Sequence, residues 1–186
     1  AGGTPLPSLD QDTVAALVQA AHDQGLLALT HIQTLATAKA ALTAGSDGLA
    51  HIFVDTTPYE AFVENAIASD LFVVSTLAVF QSIGGEPVDT TVVEDPYLAP
   101  YLTPDAVQSL RSPTAGLSGL SLATGKESVR QLFAAGVPIL AGTDAPTAGT
   151  AHGASLHREL VLLTAAGLSP LEALRAATAV TADTFG

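Results

Sequence analysis

Short apolar runs alternate with longer segments of helical periodicity along most of the chain. Four apolar runs predict buried strands at residues 26–30, 47–50, 71–76 and 137–141. Between them, apolar residues recur every three or four positions, as at Val14, Leu17 and Val18, which predicts helices. Because the strands are continuously apolar and are separated by helices, the pattern predicts an α/β fold with a parallel sheet covered by helices.

Most of the predicted helices carry signals at their ends. Polar residues in the stretches 8–11, 57–60, 124–127 and 169–172 have the spacing of helix N-terminal caps, in which side chains satisfy free backbone donors. Glycines that predict helix C-termini follow at Gly25, Gly45, Gly136 and Gly167. These signals divide residues 1–186 into successive strand and helix units of one domain.

One segment, at about residues 80–123, departs from this alternation. It contains a Gly-Gly pair and five prolines, and the pattern predicts a long irregular segment with one helix that begins at Thr103-Pro104-Asp105. Connections of this length are uncommon unless they have a function. We therefore expect this segment to shape a substrate pocket.

A polar residue stands where three of the four predicted strands end: His31, His51 and Asp144. A parallel α/β sheet is commonly either an open doubly wound sheet or a closed eight-stranded barrel. The open sheet usually has a glycine-rich phosphate turn after a strand, and this sequence has none, which argues against an open-sheet nucleotide binder. In a barrel the strand ends meet on the face that carries the active site.

Two imidazoles and a carboxylate are donors that suit zinc and similar divalent ions. The alternatives for each residue are ordinary ones: Asp144 precedes Ala-Pro and can begin a turn, and His31 can be a loop or core residue. The recurrence of histidine at the same point of two successive units favours the functional interpretation. His31, His51 and Asp144 are thus candidate metal ligands, and Asp144 is also the candidate catalytic residue.

The remaining titratable residues are weaker candidates. His152 lies in the loop after Asp144, where it is expected to contact substrate. His157 is expected to support helix packing or the rim of the site, and Glu159 to pair with a neighbour on its own helix. His22 is expected at the surface.

Charge and composition exclude several classes of function. The formal net charge is −12, and the six Lys and Arg residues are scattered, so no basic surface for nucleic acid is predicted. No apolar run approaches the roughly 18–20 residues of a membrane span. No signal peptide is visible, which favours the cytoplasm. The chain has no cysteine, so a metal site must use histidine and carboxylate.

Two long stretches carry a resemblance to a known family. The sequences THIQTLATAKAALTAGSDGLAHIF (30–53) and GVPILAGTDAP with HGASLHRELVLLTAAGLSPLEALRAATAVTADTFG (136–146 and 152–186) resemble the amidohydrolase superfamily, in its imidazolonepropionase- and prolidase-like branch. The resemblance implies a (β/α)8 TIM-type barrel of which strands 5–8 are present. His31 and His51 match the histidines of the fifth and sixth strands, and Asp144 matches the aspartate of the eighth.

That family uses one or two divalent metal ions, most often zinc. The resemblance implies that the histidines bind metal, or that His51 contacts substrate in one-metal members, and that Asp144 touches the metal and transfers a proton. The expected function is a metal-dependent hydrolase acting on an amide or other C–N bond of a small molecule or dipeptide.

The sequence also departs from the family pattern. The His-x-His motif of the first strand and the Lys or Glu of the fourth are absent, and a complete barrel needs about 250 residues. We therefore expect a fragment, inactive alone, whose missing N-terminal half is supplied in cis or in trans. Its open sheet edges favour pairing, including a homo-oligomer. The alternative is a catalytically incomplete module for binding or assembly.

Overall fold

The computed structural model describes residues 8–84, 86, 90–112, 119–147 and 149–186. The strands are β1 (Leu29–His31), β2 (Gly48–Ala50), β3 (Phe72–Val74) and β4 (Ile139–Leu140). The α-helices are α1 (Gln11–His22), α2 (Leu35–Thr43), α3 (Glu60–Ala68), α4 (Leu77–Ile83), α5 (Thr91–Glu94), α6 (Pro104–Arg111), α7 (Leu122–Ala134), α8 (Ala154–Ala165), α9 (Pro170–Ala176) and α10 (Ala179–Phe185). The four predicted strands are confirmed, each shorter than its apolar run, but β1 is not buried as predicted, because Leu29 and His31 are exposed.

The strands form one parallel sheet in the order β1-β2-β3-β4. Each strand therefore neighbours the next one along the chain, without the reversal of order that marks a doubly wound sheet. All four strands end at the same side, which we call the carboxyl edge (residues 31, 51, 75–76 and 141–144). The opposite side is the amino edge (residues 25–28, 45–47, 70–71 and 136–138).

The main core lies between the sheet and its helices. Leu49 and Val73 in the two central strands are completely buried. Beyond β2, the rings of Phe53 and Phe62 pack edge to face with their centroids 5.4 Å apart. In the described part of the chain, no helix combines the length and the apolar character needed to cross a bilayer.

The predicted helix caps differ in their outcome. The cap at 169–172 is confirmed as a reciprocal capping box between Ser169 and Glu172. The other three were placed wrongly. Asp10 caps α1, Ser121 caps α7, and α3 follows Tyr59 without a side-chain cap.

The segment 80–123, expected to be irregular apart from one helix, contains more regular structure than that. The predicted helix is confirmed as α6, which Thr103 caps by accepting a hydrogen bond from the amide of Ala106 at 3.2 Å. The end of α4, α5 and a short 3-10 helix (Ala99–Tyr101) also lie in this segment. These helices are too short to show a periodic pattern. Residues 85, 87–89 and 113–118 lie outside the described residues.

The two outer strands of the sheet have different surroundings. Beside β1 lies a cavity of about 430 Å³ lined largely by apolar residues of α1, α2 and β1. Leu29 in β1 is 40% exposed and Leu17 in α1 is 57% exposed. Just beyond β4, the amide of Ala141 donates to the carbonyl of Ala176 in α9 at 3.0 Å. The chain itself thus occupies one flank of the sheet and leaves an apolar face beside β1.

Candidate active site

The structure brings His31 and His51 together at the carboxyl edge. Their ring centroids are 4.5 Å apart and the rings are nearly perpendicular. The pairing of β1 with β2 sets this distance, because His31 stands opposite Ala50 in the ladder and His51 follows directly. His31 is exposed, whereas His51 is only 8% exposed.

His51 is held from two sides. Its backbone has a φ of 83° and its amide donates to the carbonyl of Val74 at 3.1 Å. Its Nδ1 lies 2.7 Å from Oγ1 of Thr76, and the ring of Phe80 packs edge-on at 5.9 Å. Because Nδ1 is engaged by the hydroxyl, Nε2 is the ring nitrogen left for a ligand, and such hydrogen bonds orient metal-binding histidines.

The charge state of His51 suits metal binding. Burial lowers the pKa of this imidazole below its usual value, and the neighbouring His31 lowers it further. The carboxylate of Asp144 acts in the opposite direction on the same pKa, so it lies within electrostatic range of His51. The neutral imidazole is the form that binds a metal ion. His31 and His51 are therefore in contact, and the carboxylate of Asp144 is close enough to influence His51 electrostatically.

Asp144 lies in the loop that leaves β4. It is exposed, its φ is 53°, and its Oδ2 accepts a hydrogen bond from Oγ1 of Thr147 at 3.1 Å. The amide of Thr147 also donates to the Asp144 carbonyl at 3.0 Å, so the residue does begin a turn. The turn leaves the carboxylate accessible to solvent, and the structural and chemical interpretations of Asp144 are compatible.

A close approach of β3 and β4 brings this loop to the carboxyl edge. A Cβ at Gly142 would lie 2.5 Å from Cγ1 of Val74 and 3.1 Å from Cγ2 of Thr76. Glycine is therefore required where the chain passes the end of β3. This contact connects the loop of Asp144 to Thr76, and hence to His51.

Three residues of the carboxyl edge have unfavourable backbone conformations. His51, Thr76 and Asp144 all have positive φ, at 83°, 50° and 53°. For residues with a side chain this conformation costs about 1–2 kcal/mol each, and for the β-branched Thr76 it is rare. Such residues are concentrated at functional sites.

Glu159 was not predicted as part of this region. Instead of pairing on its own helix, its carboxylate contacts Oγ of Ser75 through Oε1 and accepts the amide of Ala78 through Oε2 at 2.7 Å. The side chain is completely buried, and burial raises its pKa to about 7. The sequence did contain a signal, because Glu159 is spaced four residues after Ser155 and three before Leu162, which are both buried on the inner face of α8.

His152 is exposed in the loop before α8, next to a different cavity. That cavity has a volume of about 470 Å³ and is lined by the loop residues Pro146, Thr150 and His152 together with Tyr101 and part of α6. It adjoins the loop of Asp144, but its described lining does not include His31 or His51.

The other two histidines lie elsewhere. His157 is exposed on α8. His22 Nε2 lies 2.8 Å from Oδ2 of Asp47 at the amino edge.

The donor set fits a divalent ion in its chemistry. His31 and His51 supply two imidazoles from adjacent strand ends, and Asp144 supplies an accessible carboxylate. Within the described residues, however, no three His, Cys, Asp or Glu side chains are arranged so that they could hold a metal ion as they stand. The metal-ligand roles of His31, His51 and Asp144 therefore stay predictions.

The chain is an α/β protein whose parallel sheet carries two imidazoles at its carboxyl edge, the edge at which barrel enzymes carry their active sites. The model of the amidohydrolase family matches residues 4–186, and the chain belongs to that family. No protein in the curated collection matches this sequence. The resemblance to amidohydrolases that the sequence motifs indicated is thus confirmed.

Solved structures similar to this chain include prolidases. A putative prolidase from Bifidobacterium longum is 26% identical with a TM-score of 0.68, over 96% of this chain and 40% of that one. An Xaa-Pro dipeptidase with methionine bound in its active site is 23% identical with a TM-score of 0.64, over 96% and 38%. A prolidase complexed with N-methylphosphonate-L-proline is 22% identical with a TM-score of 0.63, over 96% and 38%. The chain spans about two fifths of the length of these proteins.

Proposed function

We propose that this chain is part of a metal-dependent hydrolase that cleaves an amide or other C–N bond in a small molecule or dipeptide. The observation that carries the proposal is the contact between His31 and His51 at the carboxyl edge, with Asp144 in electrostatic range. Membership of the amidohydrolase family supports the hydrolytic chemistry. The similarity to prolidases favours Xaa-Pro dipeptides among the possible substrates.

In this proposal β1–β4 are strands 5–8 of a (β/α)8 barrel. The unbroken strand order supports the assignment, as does coverage of only about two fifths of the similar structures. The apolar cavity beside β1 gives a preceding strand and its helix a surface to pack on. The remaining strands belong either to the same polypeptide or to another chain.

His31, His51 and Asp144 would hold the metal, for which zinc is the first candidate. A divalent ion in such a site polarises the substrate carbonyl and lowers the pKa of a bound water toward about 7. Burial lowers the pKa of His51 and so favours its neutral form, and Thr76 engages its Nδ1, which would leave Nε2 to bind. His31 is exposed to solvent and packs edge to face against the ring of His51.

Asp144 is the proposed general base and acid. Its carboxylate is exposed and carries one hydroxyl partner, so it can take a proton from the attacking water and return it to the leaving nitrogen. His152 is the proposed substrate-binding residue. It lines the cavity next to the Asp144 loop, where a polar end of the substrate would have space.

Hydrolysis of a panel of substrates by the protein that carries this chain tests the proposal. The metal-free protein and the protein reloaded with zinc are each assayed on Xaa-Pro dipeptides, on other dipeptides and on small cyclic amides. We expect zinc-dependent hydrolysis of at least one class, with Xaa-Pro dipeptides preferred. Turnover that is insensitive to the removal and return of metal would overturn the assignment.

One observation favours a second candidate function, that of a binding or assembly module. In the described residues no three potential ligands are arranged to hold an ion. A module of this kind binds the same small molecules without turnover. Calorimetry with a slowly hydrolysed dipeptide analogue, together with the hydrolysis assay, separates the two functions. The enzyme binds the analogue and hydrolyses substrates, whereas the module binds the analogue and gives no product under any assay condition.

A further inference from the structure

Glu159 occupies a position that a capping side chain would normally fill. Thr76 is the residue immediately before α4, where a threonine hydroxyl usually accepts a hydrogen bond from an amide of the first helical turn. Here Thr76 makes no such bond. The amide of Ala78, the second residue of α4, instead donates to Oε2 of Glu159 at 2.7 Å. The side-chain carboxyl group of Glu159, a residue of α8, thus caps α4 in place of Thr76.

This substitution leaves the threonine hydroxyl available for another partner. Thr76 Oγ1 lies 2.7 Å from Nδ1 of His51, and both residues are buried. Without Glu159 the amide of Ala78 loses its acceptor, and the residue before the helix, here Thr76, is the position from which a side chain usually supplies one. One hydroxyl oxygen cannot keep its present geometry at His51 and also turn toward the helix.

The rest of the carboxyl group fixes Thr76 from its other side. Glu159 Oε1 contacts Oγ of Ser75, and Ser75 Oγ lies 3.2 Å from the carbonyl of Leu140 in β4. Ser75 has a single hydroxyl proton, so it donates either to Oε1 of Glu159 or to the carbonyl of Leu140. The residues on both sides of Thr76 are therefore held by one buried side chain.

We propose that Glu159 is a positioning residue: by capping α4 it reserves the Thr76 hydroxyl for His51 and so fixes which ring nitrogen of His51 faces the site. The inference rests on the function proposed above only in taking His51 as a metal ligand. The arrangement of Glu159, Thr76 and His51 itself depends on contacts within this chain.

The ring nitrogens of His51, observed by ¹⁵N–¹H correlation NMR, test this proposal. The full chain is measured metal-free, without substrate and at about pH 8, above the ordinary histidine pKa of about 6.5. We expect the ¹⁵N shift of a hydrogen-bonded Nδ1 for His51 in the parent, and loss of that Nδ1 hydrogen bond in Glu159→Leu. Glu159→Gln is the matched control, because its amide group can still accept from Ala78 and donate to Ser75, and we expect it to retain the parent signals.

Two further variants make the result decisive. Thr76→Val removes the hydroxyl with little change of shape, and we expect the same loss of the Nδ1 hydrogen bond as in Glu159→Leu, with no further change in the double variant. If Glu159→Leu does not fold, Glu159→Asp takes its place, since the shorter side chain withdraws from Ala78. A folded Glu159→Leu or Glu159→Asp whose His51 signals match the parent would overturn the proposal. Because neither metal nor turnover is measured, failure of the proposed hydrolase function leaves this test unaffected.

Discussion

The two edges of the sheet use the same backbone conformation for different purposes. At the amino edge, three of the four turns that lead from helix to strand place glycine at positive φ, at Gly25, Gly45 and Gly136, and the fourth has Asp70. At the carboxyl edge, positive φ falls on residues with side chains, at His51, Thr76 and Asp144. Glycine adopts this conformation without steric cost, whereas the other residues are strained in it. The carboxyl edge thus has strained residues with side chains at and beside the candidate ligands.

Asp70 at the amino edge provides an internal control for this comparison. Its φ is 51°, close to the 53° of Asp144, and both side chains are exposed. Asp70 precedes β3, however, at the opposite end of the strands from the candidate ligands. The two aspartates therefore share residue type, conformation and exposure and differ in their place in the fold.

The largest expected effect comes from Asp144→Asn. Loss of the proposed general base and acid should lower turnover about 10²–10⁴-fold, while bound zinc decreases much less because two imidazole ligands remain. Steady-state kinetics and metal content of the protein that carries this chain measure both quantities.

Asp70→Asn is the control for that variant, and it should leave turnover and metal content unchanged. Asparagine tolerates positive φ as well as aspartate does, so neither substitution should unfold the protein. Equal turnover in the Asp144→Asn variant and the parent would show that the two edges do not differ in chemistry.

The next effect concerns the pH dependence of stability at the carboxyl edge. Burial raises the pKa of Glu159 from 4.5 to about 7, so the folded protein retains a proton that the unfolded chain has lost. Stability from this group is complete below the unfolded pKa and decreases as the pH rises toward 7. The decrease amounts to about 3 kcal/mol, at about 1.36 kcal/mol per pKa unit.

Glu159→Gln should remove this decrease, because glutamine resembles the protonated acid at every pH. Urea unfolding of the parent and the variant between pH 4.5 and 8 measures the difference in free energy of unfolding. We expect the free energy of unfolding of the variant to increase relative to that of the parent as the pH rises. A constant difference across that range would show that Glu159 titrates alike in the folded and unfolded chains.

Smaller effects are expected from the glycines of the amino edge. A Cβ at Gly136 would meet no atom within 4 Å, so Gly136→Ala tests the backbone conformation alone. We expect a loss of about 1 kcal/mol in the free energy of unfolding. Asp70→Gly should increase the free energy of unfolding by a similar amount. Thermal unfolding of the two variants checks both signs, and a stabilising Gly136→Ala would contradict the comparison.

The smallest expected effect lies at the contact between His22 and Asp47 at the amino edge. Burial raises the pKa of Asp47, but the amide of Ala28 and the side chain of His22 lower it by more in sum. Stability from this carboxylate is present above the unfolded pKa of about 3.8 and is lost as the pH falls through the folded value. Because the pair is partly exposed, His22→Ala should cost only about 0.5 kcal/mol at neutral pH, as urea unfolding can measure.

Much of the fold could be predicted from the sequence because its determinants are local. Continuous apolar runs defined the four strands, and glycines at Gly25, Gly45 and Gly136 marked the helix ends. Caps were harder to predict: Asp10 and Ser121 were overlooked because other polar residues nearby had plausible capping spacing. The short helices α4 and α5 lacked a full period of the pattern.

The candidate site likewise has a part that could be predicted from the sequence and a part that could not. His31 and His51 could be predicted to meet because parallel strand ends share one edge. The role of Glu159 could not be predicted, because its partners, Ser75 and Ala78, are more than 80 residues away along the chain. Contacts of that range depend on how α8 packs on α4.

Zinc binding by the chain tests the central claim most directly. Metal-free parent protein, the His31→Ala/His51→Ala double variant and a His157→Ala control are titrated with zinc by isothermal calorimetry. If the paired imidazoles at the carboxyl edge hold the ion, the parent and the His157→Ala control bind one or two zinc ions and the double variant binds none at those sites. Zinc binding by the double variant with the affinity and stoichiometry of the parent would contradict the account.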